Sequence, residues 1–244
     1  KLWFLVPLWI VLGYAVGFLM VVFTLFIHLP YNKKTDVKNK YKYYVTRSVA
    51  FYVNHLVLNL RIKVQGIENV PKDGLLTLYA NHKSYADPFI ILETIKRPTT
   101  FTPKMSVYKI PLVHSWLKSM GAFAIDRSSD RNTAKAMVEA IKVVKDGMGM
   151  LIFPEGGIKD RNDVKMVAMR AGAYRVATKA GADLLPISLH GTTKIKHRAP
   201  FRSTKISVII HPVVPYEQIK DLTTTEVADF MFDKINETLK SEKK

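Results

Sequence analysis

The stretch Leu75-Leu76-Thr77-Leu78-Tyr79-Ala80, followed by Asn81-His82-Lys83-Ser84-Tyr85-Ala86-Asp87-Pro88, decides how this chain reads. The first six residues form a short, mostly apolar run of the length expected for a buried strand. Pro88 suits the first turn of a helix. The segment therefore predicts a strand, a polar turn and a helix. A His leaving a strand and an Asp entering a helix five residues later can meet across such a turn. The carboxylate would hold one imidazole nitrogen, and the other nitrogen could take a proton from a hydroxyl. This is two-thirds of a serine-hydrolase triad. Two plainer readings stand beside it: Asp87 can cap the helix that begins at Pro88, and His82 can be an ordinary turn histidine.

The same alternation continues on both sides. From Arg61 onward, short apolar runs predict strands at 61–65, 75–80, 99–102, 122–125, 150–153, 184–190 and 205–211. Amphipathic stretches predict helices at 88–96, 109–119, 131–146, 166–180 and 224–240. In the clearest of these, Ala134, Met137, Val138, Ile141 and Val144 share a face, with Asp130 placed to cap it. Strands alternating with helices predict an α/β domain, a largely parallel sheet flanked by helices. Sites in such folds gather at the carboxyl ends of strands.

Three further segments fall at such ends. Leu151-Ile152-Phe153 runs into Pro154-Glu155-Gly156-Gly157, a turn that can present backbone N–H groups to a phosphate or oxyanion. Glu155 can orient a substrate hydroxyl or buttress the turn; an ordinary strand-to-loop corner reads the same way. Gly121-Ala122-Phe123-Ala124-Ile125-Asp126-Arg127 ends on an Arg suited to a phosphate fork, with Lys104 upstream. An Asp126–Arg127 surface pair is the alternative. Leu184-Leu185-Pro186-Ile187-Ser188-Leu189-His190-Gly191 reads as a buried strand.

The amino-terminal part is of another kind. From Leu2 to Asn32 there is no Asp, Glu, Lys or Arg. Residues 2–27 as a helix would be ~39 Å long, more than a ~30 Å hydrocarbon core. The run is apolar on all faces, unlike a surface helix, and Leu29-Pro30-Tyr31 follows it rather than a small-residue cleavage site. A retained membrane anchor is expected, with Trp3 and Trp9 in an interfacial belt. Lys33, Lys34, Lys38, Lys40, Lys42 and Arg47 come next, as on the cytoplasmic side of a plasma or inner membrane. Residues 41–60 predict a second, amphipathic helix. The chain thus divides into a two-helix membrane-binding module at 1–60 and an α/β domain at 61–244. Because Lys42, Arg47 and His55 would be costly at mid-bilayer, a hairpin lying in one leaflet is expected over a simple span.

Charge and cysteine usage bound the chemistry. Lys and Arg number 37 against 20 Asp and Glu, a net charge of +17. Such a field attracts polyanions: nucleic acid, anionic lipid headgroups or an acidic carrier protein. The chain has no Cys, so disulfides, thiolate metal sites and a cysteine nucleophile are excluded.

Taken together and in order, the four blocks resemble the glycerolipid acyltransferase family, especially the bacterial-type 1-acylglycerol-3-phosphate acyltransferases. The NH-x4-D block matches at Asn81, His82, Ser84 and Asp87, and the G-x-[IF]-x-[IV]-D-R block at Gly121, Phe123, Ile125, Asp126 and Arg127. The FPEG block matches at Phe153, Pro154, Glu155 and Gly156, and the apolar-Pro block around Pro186. The resemblance covers roughly 60–215, the size of one α/β domain. It implies direct acyl transfer from an acyl-CoA or acyl-carrier protein to the sn-2 hydroxyl of lysophosphatidic acid, giving phosphatidic acid, at an anionic membrane surface. His82 would be the general base and Asp87 its orienting anion. Lys104, Arg127, Glu155, Gly156 and Gly157 would line the substrate site, with no metal and no cofactor. In one place the chain departs: the family often continues FPEG with Thr-Arg, where this sequence has Gly157 and Ile158. Lys159, Arg161 and Arg170 are the candidates to replace that charge. Glycerol-3-phosphate or another lysolipid as acceptor is the alternative within the enzyme class. Outside it stand a tethered nucleic-acid-binding protein and a basic domain that only binds anionic lipid. Both make His82 dispensable, and no interleaved basic-aromatic ribonucleoprotein pattern supports the former.

Overall fold

The uncharged amino-terminal run forms one continuous helix, and the alternating runs after residue 60 form a layered sheet. The structure is a computed structural model that describes residues 3–124, 130–158, 160, 165–166, 169–199 and 202–241. Helix α1 (Val6–Lys34) is followed by α2 (Lys40–Phe51), which runs on as a π-helical turn over Tyr52–Val57. Then come β1 (Leu60–Gln65), β2 (Leu76–Ala80), α3 (Asp87–Thr94), β3 (Thr99–Phe101), α4 (Met105–Tyr108) and α5 (Pro111–Ser119). The remainder is α6 (Asp130–Lys145), β4 (Gly149–Ile152), α7 (Arg175–Ala180), β5 (Asp183–His190), β6 (Thr204–Ile210) and α8 (Thr224–Ser241).

The strands make one sheet in the order β1-β6-β5-β2-β4-β3. Strands β3, β4, β2 and β5 are parallel, as the α/β pattern predicts. Strand β6 runs antiparallel to β5, and β1 is parallel to β6. One edge of the sheet therefore collects the carboxyl ends of four strands and the amino ends of the two reversed ones. Residues alternate between the two faces. Leu78, Leu185, Ile187, Leu189, Ile206 and Val208 pack against Ile90 and Ile91 of α3. Tyr79 and Leu184 point the other way, toward Tyr174, Ala177 of α7 and Val227 and Met231 of α8. Burying each such side chain contributes about 1.5–3 kcal/mol, which fixes strand register on both faces.

Helix α2 buries Tyr43, Val45 and Ala50 against Leu92 of α3 and Trp116 of α5, with Leu25 and Leu29 of α1 on the same cluster. The Trp116 indole N–H donates to the Leu25 carbonyl at 2.7 Å. Asn54 and His55 both meet the Glu93 carboxylate, at 2.7 and 2.8 Å. The rest of α1 is uncovered, with Phe18, Leu19, Phe23 and Phe26 exposed. By length and composition it is able to cross a membrane. Lys42 is not a headgroup lysine. It is fully buried, and its ammonium donates to the carbonyls of Thr35, Asp36 and Ser119 at 3.4, 3.2 and 2.7 Å. Burial pushes it below the ordinary lysine range, against the pull of Asp36.

Three expected elements differ. Residues 122–124 form no strand, and Ile125 lies outside the described residues. The backbone there is engaged in ending α5: Gly121, at φ +72°, donates to the Lys118 carbonyl at 3.1 Å, and Ala122 donates to that of Leu117 at 2.9 Å. This double bond is a Schellman cap. The Ala122 carbonyl in turn accepts from the Tyr108 hydroxyl, so the segment is fixed before it could join a ladder. The helix expected at 109–119 begins only at Pro111, as α5, because Pro111 holds Ile110 in extended conformation; the short α4 before it is unexpected. The helix expected at 166–180 is shorter. A 3-10 turn occupies Ala171–Tyr174 and α7 the last six residues, while Arg170 is extended and its N–H donates to the Pro154 carbonyl.

Candidate active site

Strands β2 and β4 are neighbours and parallel, so the loops leaving them begin side by side. The loop after β2 carries His82 and the loop after β4 carries Glu155. Asp87 sits at the start of α3, and its side chain does not cap that helix. It turns back instead. Its Oδ2 accepts from the His82 ring Nδ1 at 2.9 Å and from the backbone N–H groups of Lys83 and Ser84 at 2.7 and 2.8 Å. The carboxylate is completely buried, and the His82 side chain is 14% exposed. An ionised carboxylate only accepts, so the His82 proton sits on Nδ1 and Nε2 carries the free lone pair. That is the tautomer a general base needs. The Phe153 ring lies nearly parallel to the imidazole, with centroids 4.1 Å apart, and closes one face of it.

The two loops are locked together from behind. Glu155 is buried; its Oε1 accepts from the His82 backbone N–H at 2.7 Å, and its Oε2 lies 3.5 Å from the Lys83 ammonium, which is also buried. Asn81 fastens the other side. It donates to the Leu189 carbonyl at 2.9 Å and accepts from the Leu189 N–H at 2.7 Å, which ties the loop to the end of β5. Sequence reasoning does not find Lys83 or the double bond of Asn81. A Lys in a polar turn reads as solvated, and nothing local announces a partner more than 70 residues away.

The remaining candidates are less close. The Pro154-Glu155 turn is closed by the Gly156 N–H, which donates to the Phe153 carbonyl at 3.0 Å. Gly156 has φ +73°, and a Cβ there would stand 2.7 Å from Arg170 Nε. The exposed Arg170 side chain thus lies across the FPEG turn, twelve residues beyond Ile158 in the sequence. Lys104 is exposed and immediately precedes α4. Arg127, Asp126, Lys159 and Arg161 lie outside the described residues.

A dyad held in this way is able to move a proton from a hydroxyl to a leaving group, and comparison with known proteins gives the reaction class. The family model described as Acyltransferase matches residues 61–190, more than half of the chain. The chain belongs to the acyltransferase family.

This acyltransferase is 30% identical over 184 residues to a 1-acyl-sn-glycerol-3-phosphate acyltransferase of Borreliella burgdorferi, covering 75% of the chain and 73% of that protein. It is 26% identical over 191 residues to the chloroplastic 1-acyl-sn-glycerol-3-phosphate acyltransferase LPAT1 of Arabidopsis thaliana, covering 76% of the chain and 51% of that longer protein. The fold matches the crystal structure of the 1-acyl-sn-glycerophosphate (LPA) acyltransferase PlsC from Thermotoga maritima. The TM-score is 0.71 at 23% identity, over 91% of this chain and 95% of that one. The acyltransferase match begins with β1 and ends with β5, so it contains both loops of the dyad.

Proposed function

We propose that this acyltransferase moves an acyl chain from a thioester to the sn-2 hydroxyl of 1-acylglycerol-3-phosphate, giving phosphatidic acid. The observation that carries the reading is the 2.9 Å bond from His82 Nδ1 to the buried Asp87, which leaves Nε2 as the base. The names of the relatives supply the acceptor. As the hydroxyl oxygen attacks the thioester carbonyl, Nε2 takes its proton. The tetrahedral oxyanion needs a donor, and the Gly157 N–H is assigned to it, since that of Gly156 closes the turn. The C–S bond then breaks, and the thiolate leaves with the proton held by the imidazolium. The substrate hydroxyl takes the place of an enzyme nucleophile, in keeping with a chain that has no Cys.

Glu155 and Lys83 set the distance between the two loops, so their part is positioning. The acceptor phosphate is assigned to Arg170 across the FPEG turn, with Arg127 and Lys104 as further cations. Arg170 would thereby supply the charge that Ile158 lacks. Helix α1 would hold the domain on the cytoplasmic face of a membrane, where lysolipid and product both reside. The decisive experiment is mass spectrometry of the products when purified protein in mixed micelles is offered lysophosphatidic acid with acyl-CoA and, separately, with acyl-carrier protein. Phosphatidic acid from one or both donors is the expected product. Its absence with both, or an equal rate on monoacylglycerol, would remove the assignment.

A further inference from the structure

Beside the dyad, on the sheet face covered further along by α8, lies a cleft of about 880 Å³ lined by Arg61, Lys63, Lys194, Lys205, His190 and Gly191. Strand register places its cations. Arg61 pairs with Lys205, Lys63 with Ser207, and Ser207 with His190, so these residues share one face across β1, β6 and β5. That this is the α8 face follows from Ser188, two residues before His190 on β5, whose hydroxyl donates to the Ile235 carbonyl of α8. Leu239 of α8 and His55 of the π-helical turn also line the cleft, and among the described residues no Asp or Glu does. Residues 184–216 contain no acidic residue at all, so nothing in that long segment offsets Lys194 and Lys205.

Lysine on an outer strand commonly serves only to block edge pairing. That accounts for Arg61 and Lys63 on β1. It does not account for Lys205, which is on the next strand inward, or for Lys194, which reaches in from the 3-10 turn Thr192–His197. The bilayer does not account for them either. Helices α1, α2 and α5 pack together with α3 on the opposite face of the sheet. The anchor helices and the strand cations of the cleft are therefore on opposite faces of the sheet, and the cleft reaches round the β1 edge to His55. The cleft is also next to the chemistry. Asn81, just before His82, is doubly bonded to Leu189, just before His190 in the cleft wall.

A water-soluble substrate with a compact anion at one end and a thioester at the other fits this placement. We propose that the cleft binds the 4′-phosphate of the donor's phosphopantetheine arm, the group common to coenzyme A and an acyl-carrier protein. The arm would run past Gly191 and Asn81 and deliver the thioester to His82, while the lysolipid enters from the face of α1. This assignment rests on thioester-dependent transfer as proposed above.

The test compares acyl-phosphopantetheine with acyl-pantetheine, which lacks the phosphate, in the full chain and in K63E/K205E. Both side chains are exposed, so the fold tolerates the change. The wild type prefers the phosphorylated donor in kcat/KM, and the double reversal lowers that preference at least tenfold, whereas K63R/K205R keeps it. Acyl-CoA and acyl-carrier protein, measured in parallel, identify the source by which donor the wild type uses better and the reversal harms more. Binding of free coenzyme A and of pantetheine to the inactive His82→Ala protein gives a readout without turnover. If the wild type transfers no acyl chain but binds coenzyme A through Lys63 and Lys205, the reaction is wrong and the site remains. A phosphate preference that is the same in wild type and K63E/K205E overturns the site. So does a reversal that changes only the KM for lysophosphatidic acid or the binding to anionic vesicles.

Discussion

His82 has one partner behind it and one beside it, and each makes a different demand on a substitution. In the proposed mechanism the imidazole accepts the hydroxyl proton, so His82→Ala should lower turnover at least ~10²-fold. Asp87→Asn should be as severe or worse. The amide can donate to Nδ1 and favour the wrong tautomer, and it offers a weaker acceptor to the N–H groups of Lys83 and Ser84. Near-normal rates in a folded His82→Ala protein would end the base assignment. Arg170 makes a separate claim. Its side chain lies over Gly156, so Arg170→Ala should raise the acceptor KM roughly tenfold and leave kcat within a few-fold. The same substitution should narrow the preference for lysophosphatidic acid over monoacylglycerol; a fall in kcat at constant KM would place Arg170 elsewhere. The sequence makes His82 and Asp87 legible because the spacing across one turn is local. Arg170 is legible only as one of three candidates for the missing charge, beside Lys159 and Arg161. Its position depends on a backbone bond from 170 to 154 that no spacing rule contains.

At the scale of elements, the carboxyl end of β5, residue 211 and α8 meet in a small polar layer inside the fold. The His211 Nε2 lies 2.8 Å from the Ser188 hydroxyl. Burial, then Lys234 and His190, lower its pKa from 6.5 to about 4. The unfolded chain therefore binds this proton more readily than the folded one between those two values, and stability falls as pH drops from 6.5 toward 4. The loss should be on the order of 2 kcal/mol. Thermal unfolding at pH 7 and at pH 4.5 measures it. The drop in Tm should shrink in His211→Gln, and an equal drop in both proteins would assign the acid sensitivity to other groups. Element boundaries show where sequence reading stops. Short apolar runs locate β2, β4 and β5, which are buried on both faces, and helical period locates α6, whose apolar residues share one face. The same reading misplaces a strand at 122–125 because Ala122 and Phe123 are apolar, while the Schellman cap uses their backbone for another purpose. It also leaves the reversal of β6 unread, since strand direction is decided by the connection and not by the strand.

For the whole molecule, the proposed anchoring is tested by which side of a bilayer each end of α1 occupies. The helix has 29 residues, about 44 Å at ~1.5 Å per residue, enough to cross with some tilt. Its last turns are held against α5 and α2, and Lys42 is buried in the joint. These contacts fix α1 rigidly to the domain at one end, which a leaflet-bound hairpin requires and a span permits. Single cysteines at Trp3 and Tyr31 can be read without background, because the chain has none of its own. With an impermeant thiol reagent outside sealed vesicles, labelling of both positions from one side is the expected result for the hairpin. Labelling from opposite sides would establish a span.

The pairing of β1 with β6 has a consequence in time as well as in space. Leu60 is matched with Thr204, so roughly 140 residues must be translated before β1 can acquire β6, its one neighbour among the described strands; at about 5–20 residues per second this takes on the order of ten seconds. Helix α1, made earlier, needs no such partner and can enter lipid at once. The catalytic domain would then be assembled by a chain already tethered, with an unpaired β1 waiting at the membrane surface while the ribosome completes the strand that will cover it.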